Sequence, residues 1–455
     1  MREVYQENRK KTFRSLFFLY FMIFFCTGIL PVNLDNLLAY LPKTTKFGIG
    51  IVSATSLFIG IISILIFGYY GDLISEKFSR KKIFIYTNFI WIFIFGLASL
   101  SYNFFYFVFF IIIGAIGTGA FLPLGYTMIG DFYSPKDRGK KYGIMQVGLI
   151  LGAGMGIIFG GLLGSYAGPL GWRIAYGLGF VLGLFVLFSY IFSGVQPERL
   201  RSEPEFENFQ GEINYNYKIT YSNLKRLFKT RSMGGILLSV FCSGIANATL
   251  AIWAIFYLSS KINGSDAEFI ATTIYILAGA GALPGSIIGG KLGDKFFKSG
   301  KVKGRVIVSL NGLIVGISLL IIFYIVPFYT ETTLQIVFSW IFFLITGYLG
   351  FFFTAFSTGN QFAIYSEVSL PEVRSTANAM NGLIVNLGGI IGNLVISSMI
   401  ENDESLLSFG IFLVLMIWLI GTFFWIITYF HYPKDLQNCS NILLERRLEL
   451  ENKKS

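Results

Sequence analysis

The chain has 455 residues, of which 54% are hydrophobic, 18% aromatic and only 13% charged. Such a composition excludes a water-soluble globular domain and a disordered chain, and points to a polytopic membrane protein. The formal net charge of +11 would suit a nucleic-acid partner, but its distribution along the chain excludes that reading.

The apolar runs fall at 14–40, 47–70, 83–101, 104–130, 141–166 and 173–193, then at 232–259, 267–290, 305–328, 333–364, 376–400 and 406–430. Runs of about 20 residues cross ~30 Å of hydrocarbon as helices at ~1.5 Å rise per residue, whereas strands would need half that length. Twelve spans are therefore expected, six plus six. Of the 36 basic residues, 32 lie in the N-terminal arm, the alternate loops on one side and the tail, and only Lys43, Lys46, Arg173 and Lys261 lie on the other. The positive-inside rule then places both termini and the central loop in the cytoplasm, in a multi-pass protein of the plasma membrane. The first run is too long for a signal-peptide core and no small-residue cleavage pattern follows it, so it is expected to be retained.

The expected organisation is a first bundle at 1–193, a cytoplasmic linker at 194–231, a second bundle at 232–430 and a cytoplasmic tail at 431–455. Within the linker, Leu224 to Phe228 among basic residues reads either as an amphipathic helix on the inner surface or as part of a solvated tether. In the tail, Leu443 to Leu450 suits a short helix. Cys26, Cys242 and Cys439 are scattered and imply neither a disulfide framework nor a metal site.

Two echoes tie the halves together. Gly68-Tyr-Tyr-Gly-Asp72, followed by Arg80-Lys81-Lys82, returns as Gly290-Lys-Leu-Gly-Asp294-Lys295, an offset of 294 − 72 = 222 residues. Asp131-Phe-Tyr-Ser-Pro135-Lys-Asp-Arg138-Gly139 is matched by Glu367-Val-Ser-Leu-Pro371-Glu-Val-Arg374-Ser375. These turns resemble the signature turns of the major facilitator superfamily of transporters. The resemblance implies an all-α membrane protein with twelve transmembrane helices in two pseudo-symmetric six-helix bundles.

In the resembled family the aspartate of the first turn sits against the start of the eleventh helix, where unpaired N–H groups and the positive dipole end lie. The matching residue is Asp72, facing Ser375 or Thr376, and by pseudo-symmetry Asp294 faces the start of segment five near Gly139. Asp131 is expected to pair with Arg80. The resemblance thus nominates Gly68, Asp72, Arg80, Asp131, Arg138, Gly290, Asp294, Glu367 and Arg374 as a conformational switch. The first turn departs from the family pattern: eight residues separate Asp72 from Arg80, and Leu73 stands where arginine is common.

Gly148, Gly152, Gly156, Gly160 and Gly164 form an every-fourth row in segment five, with Gly382, Gly388, Gly389 and Gly392 as its counterpart in segment eleven. A bare face of this kind lets another helix approach closely. It also resembles the family's glycine-rich fifth-helix motif of antiporters, with Ile157 where that motif has proline.

The centres of the segments carry no clear ionisable residue, and Asp35, which follows Pro31, is the one candidate coupling acid. Polar uncharged side chains remain: Thr118, Tyr126, Gln146, Asn247, Trp253, Asn381 and Asn386 are candidate substrate contacts, or else interhelical hydrogen-bonding groups. Phe67-Gly68-Tyr-Tyr-Gly-Asp72 and Met128-Ile-Gly-Asp131-Phe-Tyr also resemble the spinster branch, whose members move lysolipids and sphingoid lipids. That branch carries an Asp in helix one and an Arg and a Glu in helix four; this chain has Met22, Ile111 and Thr118 near those places.

The function read from the sequence is a secondary active or facilitative transporter of a small neutral or amphipathic organic molecule, working by alternating access. The competing reading is a transporter-shaped lipid scramblase or receptor. No nucleophile–base pair, metal cluster or nucleotide loop suggests an enzyme or a cofactor. The expected partners are a small-molecule or lipid-like substrate and the bilayer, with no nucleic acid, and the expected state is a monomer.

Overall fold

A computed structural model of the chain describes residues 2–30, 33, 37, 41, 46–73, 79–197, 200–206, 217, 220–262, 267–329 and 331–452, and among these there is no strand. The helices are α1 Arg2–Ile29, α2 Lys46–Leu73, α3 Arg80–Ser99, α4 Phe104–Gly119, α5 Phe121–Phe132, α6 Pro135–Ala167, α7 Gly171–Ser193, α8 Tyr221–Lys229, α9 Arg231–Ser259, α10 Ala267–Gly279, α11 Ala282–Lys298, α12 Gly304–Ile325, α13 Thr333–Thr354, α14 Phe356–Val368, α15 Arg374–Asn402, α16 Leu407–Thr422 and α17 Trp425–Asn452. Eleven helical stretches among the described residues are long and apolar enough to cross a membrane, and the shorter apolar helix Thr55–Tyr70 takes the place of the second. This is the twelve-span pattern, six before the linker and six after it.

Local chemistry explains where helices start and break. Asn103 accepts from the Tyr106 amide at 3.1 Å to begin α4, and Thr332 with Gln335 forms a capping box at the start of α13. Four expected single spans are interrupted, the twelfth of them at Phe423–Phe424. Pro123 lacks the N–H that would bond the Gly119 carbonyl, and the helix breaks at Ala120; Pro284 does the same against Ala280. The break at Ala355 has no proline. There Thr354, Ser357 and Thr358 turn their hydroxyls back onto the carbonyls of Phe351, Thr354 and Ala355 at 3.1, 3.1 and 2.9 Å, competing with the helical ladder. At the other end of the chain, α17 runs without interruption through Pro433 to Asn452, so much of the expected tail is a continuation of the last helix.

Two compact units emerge. The first comprises Met1–Phe132, Val147–Asn223 and Pro371–Ala379, and the second Tyr133–Gln146, Leu224–Leu370 and Met380–Ser455. Each unit therefore includes one short segment from the opposite sequence half. In the first unit Trp91, Phe95, Phe107, Trp172 and Tyr176 form an edge-to-face aromatic core, with ring centroids 5.5–6.4 Å apart. In the second, Phe323 and Phe328 pack on Phe343 at 5.4 Å each. Large apolar residues also point outward, Phe185 at 74% and Phe192 at 85% exposure, as lipid contact requires and water would not tolerate.

Both glycine rows are close-approach faces. A Cβ at Gly152 or Gly156 would stand 2.3 or 2.2 Å from the carbonyl oxygens of Phe21 and Phe25 on α1. At Gly388 it would meet the Phe241 carbonyl of α9 at 2.3 Å, and at Gly392 that of Ile245 at 2.6 Å. Helix one against five and helix seven against eleven are thus packed backbone to backbone, without the interdigitating side chains that would hold them farther apart.

Lys261, just beyond α9, donates from Nζ to the carbonyls of Tyr324 and Val326, the latter at 3.1 Å, and lies 4.7 Å over the Tyr257 ring. Burial pushes its ammonium down to about 8.

Gly156→Val is expected to destabilise the protein by ~1–3 kcal/mol through overpacking against a rigid carbonyl. Gly154→Ala, where nothing lies within 4 Å, should leave the melting temperature unchanged, and equal effects of the two would refute the close-approach reading. Because Lys261 holds its proton less tightly in the folded chain, the unfolded chain binds more protons between about 8 and the ordinary lysine value of ~10.4. Stability from this group therefore rises with pH across that window, and the change in melting temperature between its two ends should be more positive for the wild type than for Lys261→Met.

Candidate functional site

The first unit carries a buried charge cluster built on the first turn. Asp72, at the end of α2 and 3% exposed, accepts from the backbone amides of Ser375 (3.4 Å) and Thr376 (3.0 Å) and from the Thr376 hydroxyl (3.2 Å). The carboxylate thus caps the start of α15, the place where orphan N–H groups and the helix dipole favour a negative charge. Gly68, one turn earlier, permits the approach, since a Cβ there would lie 2.5 Å from that of Ala379. Arg80, held at the start of α3 by the Ser79 cap, bridges two acids: Nη2 to Asp72 at 2.7 Å and Nη1 to Asp131 at 2.8 Å. The other oxygen of Asp131 takes Arg374 Nη1 at 2.7 Å, and Arg374 Nη2 pairs with Glu203.

The second unit repeats the construction. Asp294 of α11 accepts from the amides of Gly139 (3.0 Å) and Lys140 (2.8 Å) in the first turns of α6. Gly290 meets Gly139 so closely that a Cβ would stand 2.2 Å from the Gly139 carbonyl oxygen. Arg305, fully buried, joins Asp294 at 2.8 Å to Glu367 at 3.1 Å and also donates to the Pro135 carbonyl. Glu367 further accepts from the Tyr432 hydroxyl of α17. Arg138, also fully buried, donates from Nε to the Tyr133 carbonyl at 2.9 Å, with its charge beside Glu367.

All nine residues nominated from the signature turns lie in one or other cluster, and Arg80 spans the unusual eight-residue gap to reach Asp72 and Asp131 together. The nominated polar residues are dispersed. Thr118 and Tyr126 flank the break at Ala120, Tyr126 buried and Thr118 half-buried with its hydroxyl on the Ala115 carbonyl. Asn247 is exposed and bonds back to the Ser243 carbonyl at 2.8 Å. Asn381 is buried and accepts from Gln361 and from the Tyr365 hydroxyl (3.3 Å). Gln146, Trp253 and Asn386 are half-buried. Asp35 falls outside the described residues.

Three participants, Arg305, Tyr432 and Glu203, and one buried neighbour, Glu372, were not nominated. Arg305 opens the ninth span and counts in the sequence as one more inner-side cation. Tyr432 carries no motif, and Glu372 lies within the second echo at a position the two copies do not share; fully buried, it accepts from Asn223 at 2.8 Å. Glu203 belongs to the linker, which turns inward where Leu200 adopts φ 72°, a conformation that costs a leucine energy. Glu203-Pro204-Glu205-Phe206 then forms a 3₁₀ turn with Phe206 fully buried. An aromatic after Glu-Pro-Glu was the available hint that this part of the linker docks.

A family model described as Major Facilitator Superfamily matches residues 16–393, and the chain belongs to that superfamily of transporters. Its fold is similar to that of the proton:xylose symporter XylE bound to 6-bromo-6-deoxy-D-glucose, with a TM-score of 0.69 at 16% identity, covering 92% of this chain and 95% of that one. It is also similar to a bacterial homologue of the human lysosomal transporter Spinster in an inward-facing, unoccupied conformation, with a TM-score of 0.56 at 18% identity, covering 94% and 98%. Among curated proteins, it is 22% identical to Multidrug resistance protein 3 of Bacillus subtilis over 73% of this chain and 69% of that protein. Similarity to the sphingosine-1-phosphate transporter SPNS2 of Mus musculus is 23% over 50% of this chain and 42% of that protein, so that alignment spans less than half of the relative's length.

Breaking a buried ion pair from one side costs ~3–5 kcal/mol when a charge is left alone. Asp131→Asn, which touches both arginines of its cluster, should therefore lower the melting temperature more than Glu203→Gln, after which Arg374 keeps Asp131. Thermal unfolding in detergent checks the order, and the reverse order would show that Glu203 is the principal partner of Arg374.

Proposed function

We propose that this protein moves a small neutral or amphipathic organic molecule across the plasma membrane by alternating access, as a secondary active or facilitative transporter. The observation that carries the reading is the duplicated lock: in each compact unit a carboxylate at the end of one span caps the start of another, from the opposite sequence half, 303–304 residues away for Asp72 and 154–155 for Asp294. One such contact biases a two-state equilibrium by up to ~2 kcal/mol. Moving it from 1:99 to 99:1 takes ~5.5 kcal/mol, so two locks acting together supply up to ~4 kcal/mol, most of that shift, where one supplies less than half.

In this reading the locks hold the cytoplasmic side shut in one state, and their loss opens it. The one-sided distribution of basic residues supports cytoplasmic termini, with bundles at 1–193 and 232–430, the linker at 194–231 and the tail at 431–455 on the inner side. Paired helix breaks in segments four and ten support a substrate path near Thr118 and Tyr126 in the first unit, since interrupted spans at corresponding positions mark binding regions in transporters. Within the second unit, Gln146, Asn247, Trp253, Asn381 and Asn386 are the candidate uncharged polar contacts. Asp35 is the candidate coupling acid. The chain works as a monomer, without cofactor or catalytic centre.

Reconstitution into proteoliposomes tests the activity: saturable, counterflow-competent uptake of one amphipathic compound is expected, and binding without flux would favour a receptor. The locks are tested separately in a cysteine-free background carrying Thr127→Cys, a buried position where the native hydroxyl accepts from Asn378 at 3.1 Å. Asp72→Asn should raise its labelling rate from the cytoplasmic face several-fold, and an unchanged rate from both faces would remove the lock from the mechanism.

A further inference from the structure

The last helix changes character along one face. Ile426, Ile427 and Phe430 are exposed apolar residues, Phe430 at 66%, and the same stripe continues at helical spacing to His431 and Lys434. Two cations from other helices join it there. Arg231, the first residue of α9, places Nη1 3.3 Å from His431 Nε2. His431 Nδ1 is 2.8 Å from the Ile427 carbonyl and donates to it, which leaves Nε2 as the acceptor facing Arg231. Lys303, which precedes α12, holds Nζ 4.4 Å over the Tyr429 ring and 5.9 Å from that of Phe430.

The acid on this stretch is already engaged: Asp435 accepts from the Ser232 amide at 3.0 Å, capping α9. Among the described residues no carboxylate is paired with Arg231, Lys303 or Lys434. Three helices of the second unit thus bring uncompensated cations to the end of an outward-facing apolar stripe.

We infer that Arg231, oriented by His431, together with Lys303 and Lys434 forms a binding site for the phosphate of one anionic phospholipid, whose acyl chain lies along Ile426, Ile427 and Phe430. Both halves of a lipid are matched at the right places. The apolar stripe needs a hydrocarbon neighbour, and the cations need an anion at the depth where the stripe ends. A guanidinium and two ammonium groups suit a phosphodiester, and Lys303, fixed over its aromatic neighbours, is pre-ordered for the contact. The site rests on the membrane-spanning fold and is independent of the transported substrate and of the locks.

Native mass spectrometry of the full chain purified in neutral detergent, titrated in parallel with dioleoylphosphatidylglycerol and dioleoylphosphatidylcholine, provides the test. A single phosphatidylglycerol adduct should dominate. Each cation removed should weaken it about fivefold, so Arg231→Gln combined with Lys303→Gln should weaken it about 25-fold. Lys434→Ala, an exposed change that keeps the fold, should weaken it about fivefold, and Lys291→Ala on α11 should not weaken it. Equal retention of the two lipids by the wild type, or undiminished phosphatidylglycerol binding in Lys434→Ala, would overturn the site. Displacement of the lipid by millimolar inorganic phosphate would show that the cations take a free anion instead, and would overturn the lipid assignment.

Discussion

A carboxylate placed at the start of a distant helix is the contact on which the rest of this structure depends. Asp72 satisfies two otherwise unpartnered amides at the start of α15, Asp294 accepts from two amides in the first turns of α6, and each is in turn held by an arginine, Arg80 or Arg305, that reaches a second acid. The arrangement is electrostatically economical, because a buried ion is tolerable only when its remaining lone pairs or protons are also taken. It is also brittle at its shared members, since Asp131 or Arg305 cannot leave without taking an ion pair from two partners at once. That combination suits an element required to be either fully made or fully broken.

Close approach makes the contact possible. Gly68 and Gly290 stand one turn before their aspartates, and at both a side chain would collide with the facing helix, at 2.5 and 2.2 Å. The same device is extended along whole helices by the glycine rows of segments five and eleven. In a bilayer, where apolar side chains gain nothing by leaving lipid for one another, backbone proximity and buried polar pairs supply the association that the hydrophobic effect supplies in water.

The two clusters are related without being identical. In the first, Arg374 balances Asp131 and draws in Glu203 from the linker; in the second, Glu367 is held by Arg305 and by Tyr432 from the last helix. The linker and the last helix, the least repetitive parts of the chain, thus each complete one cluster. This gives the duplicated unit an asymmetry through which the two clusters can differ in strength.

Twelve spans, their pairing into halves and the residues of the signature turns were legible in the sequence, because span length, charge sidedness and glycine-to-acid spacing are local properties set by the bilayer and the helix. The proline-made breaks at Ala120 and Ala280 were local too, written in Pro123 and Pro284, although the runs around them read as continuous. Arg305, Glu203, Glu372 and Tyr432 became visible only in three dimensions. A cation at a span's inner end looks the same whether it faces water or bridges two buried acids, and a linker glutamate acquires its role only where the folded chain carries it to Arg374. The sequence determined which groups need partners; the tertiary structure decided which partners they have, because those partners lie hundreds of residues away and meet only when helices from both halves pack.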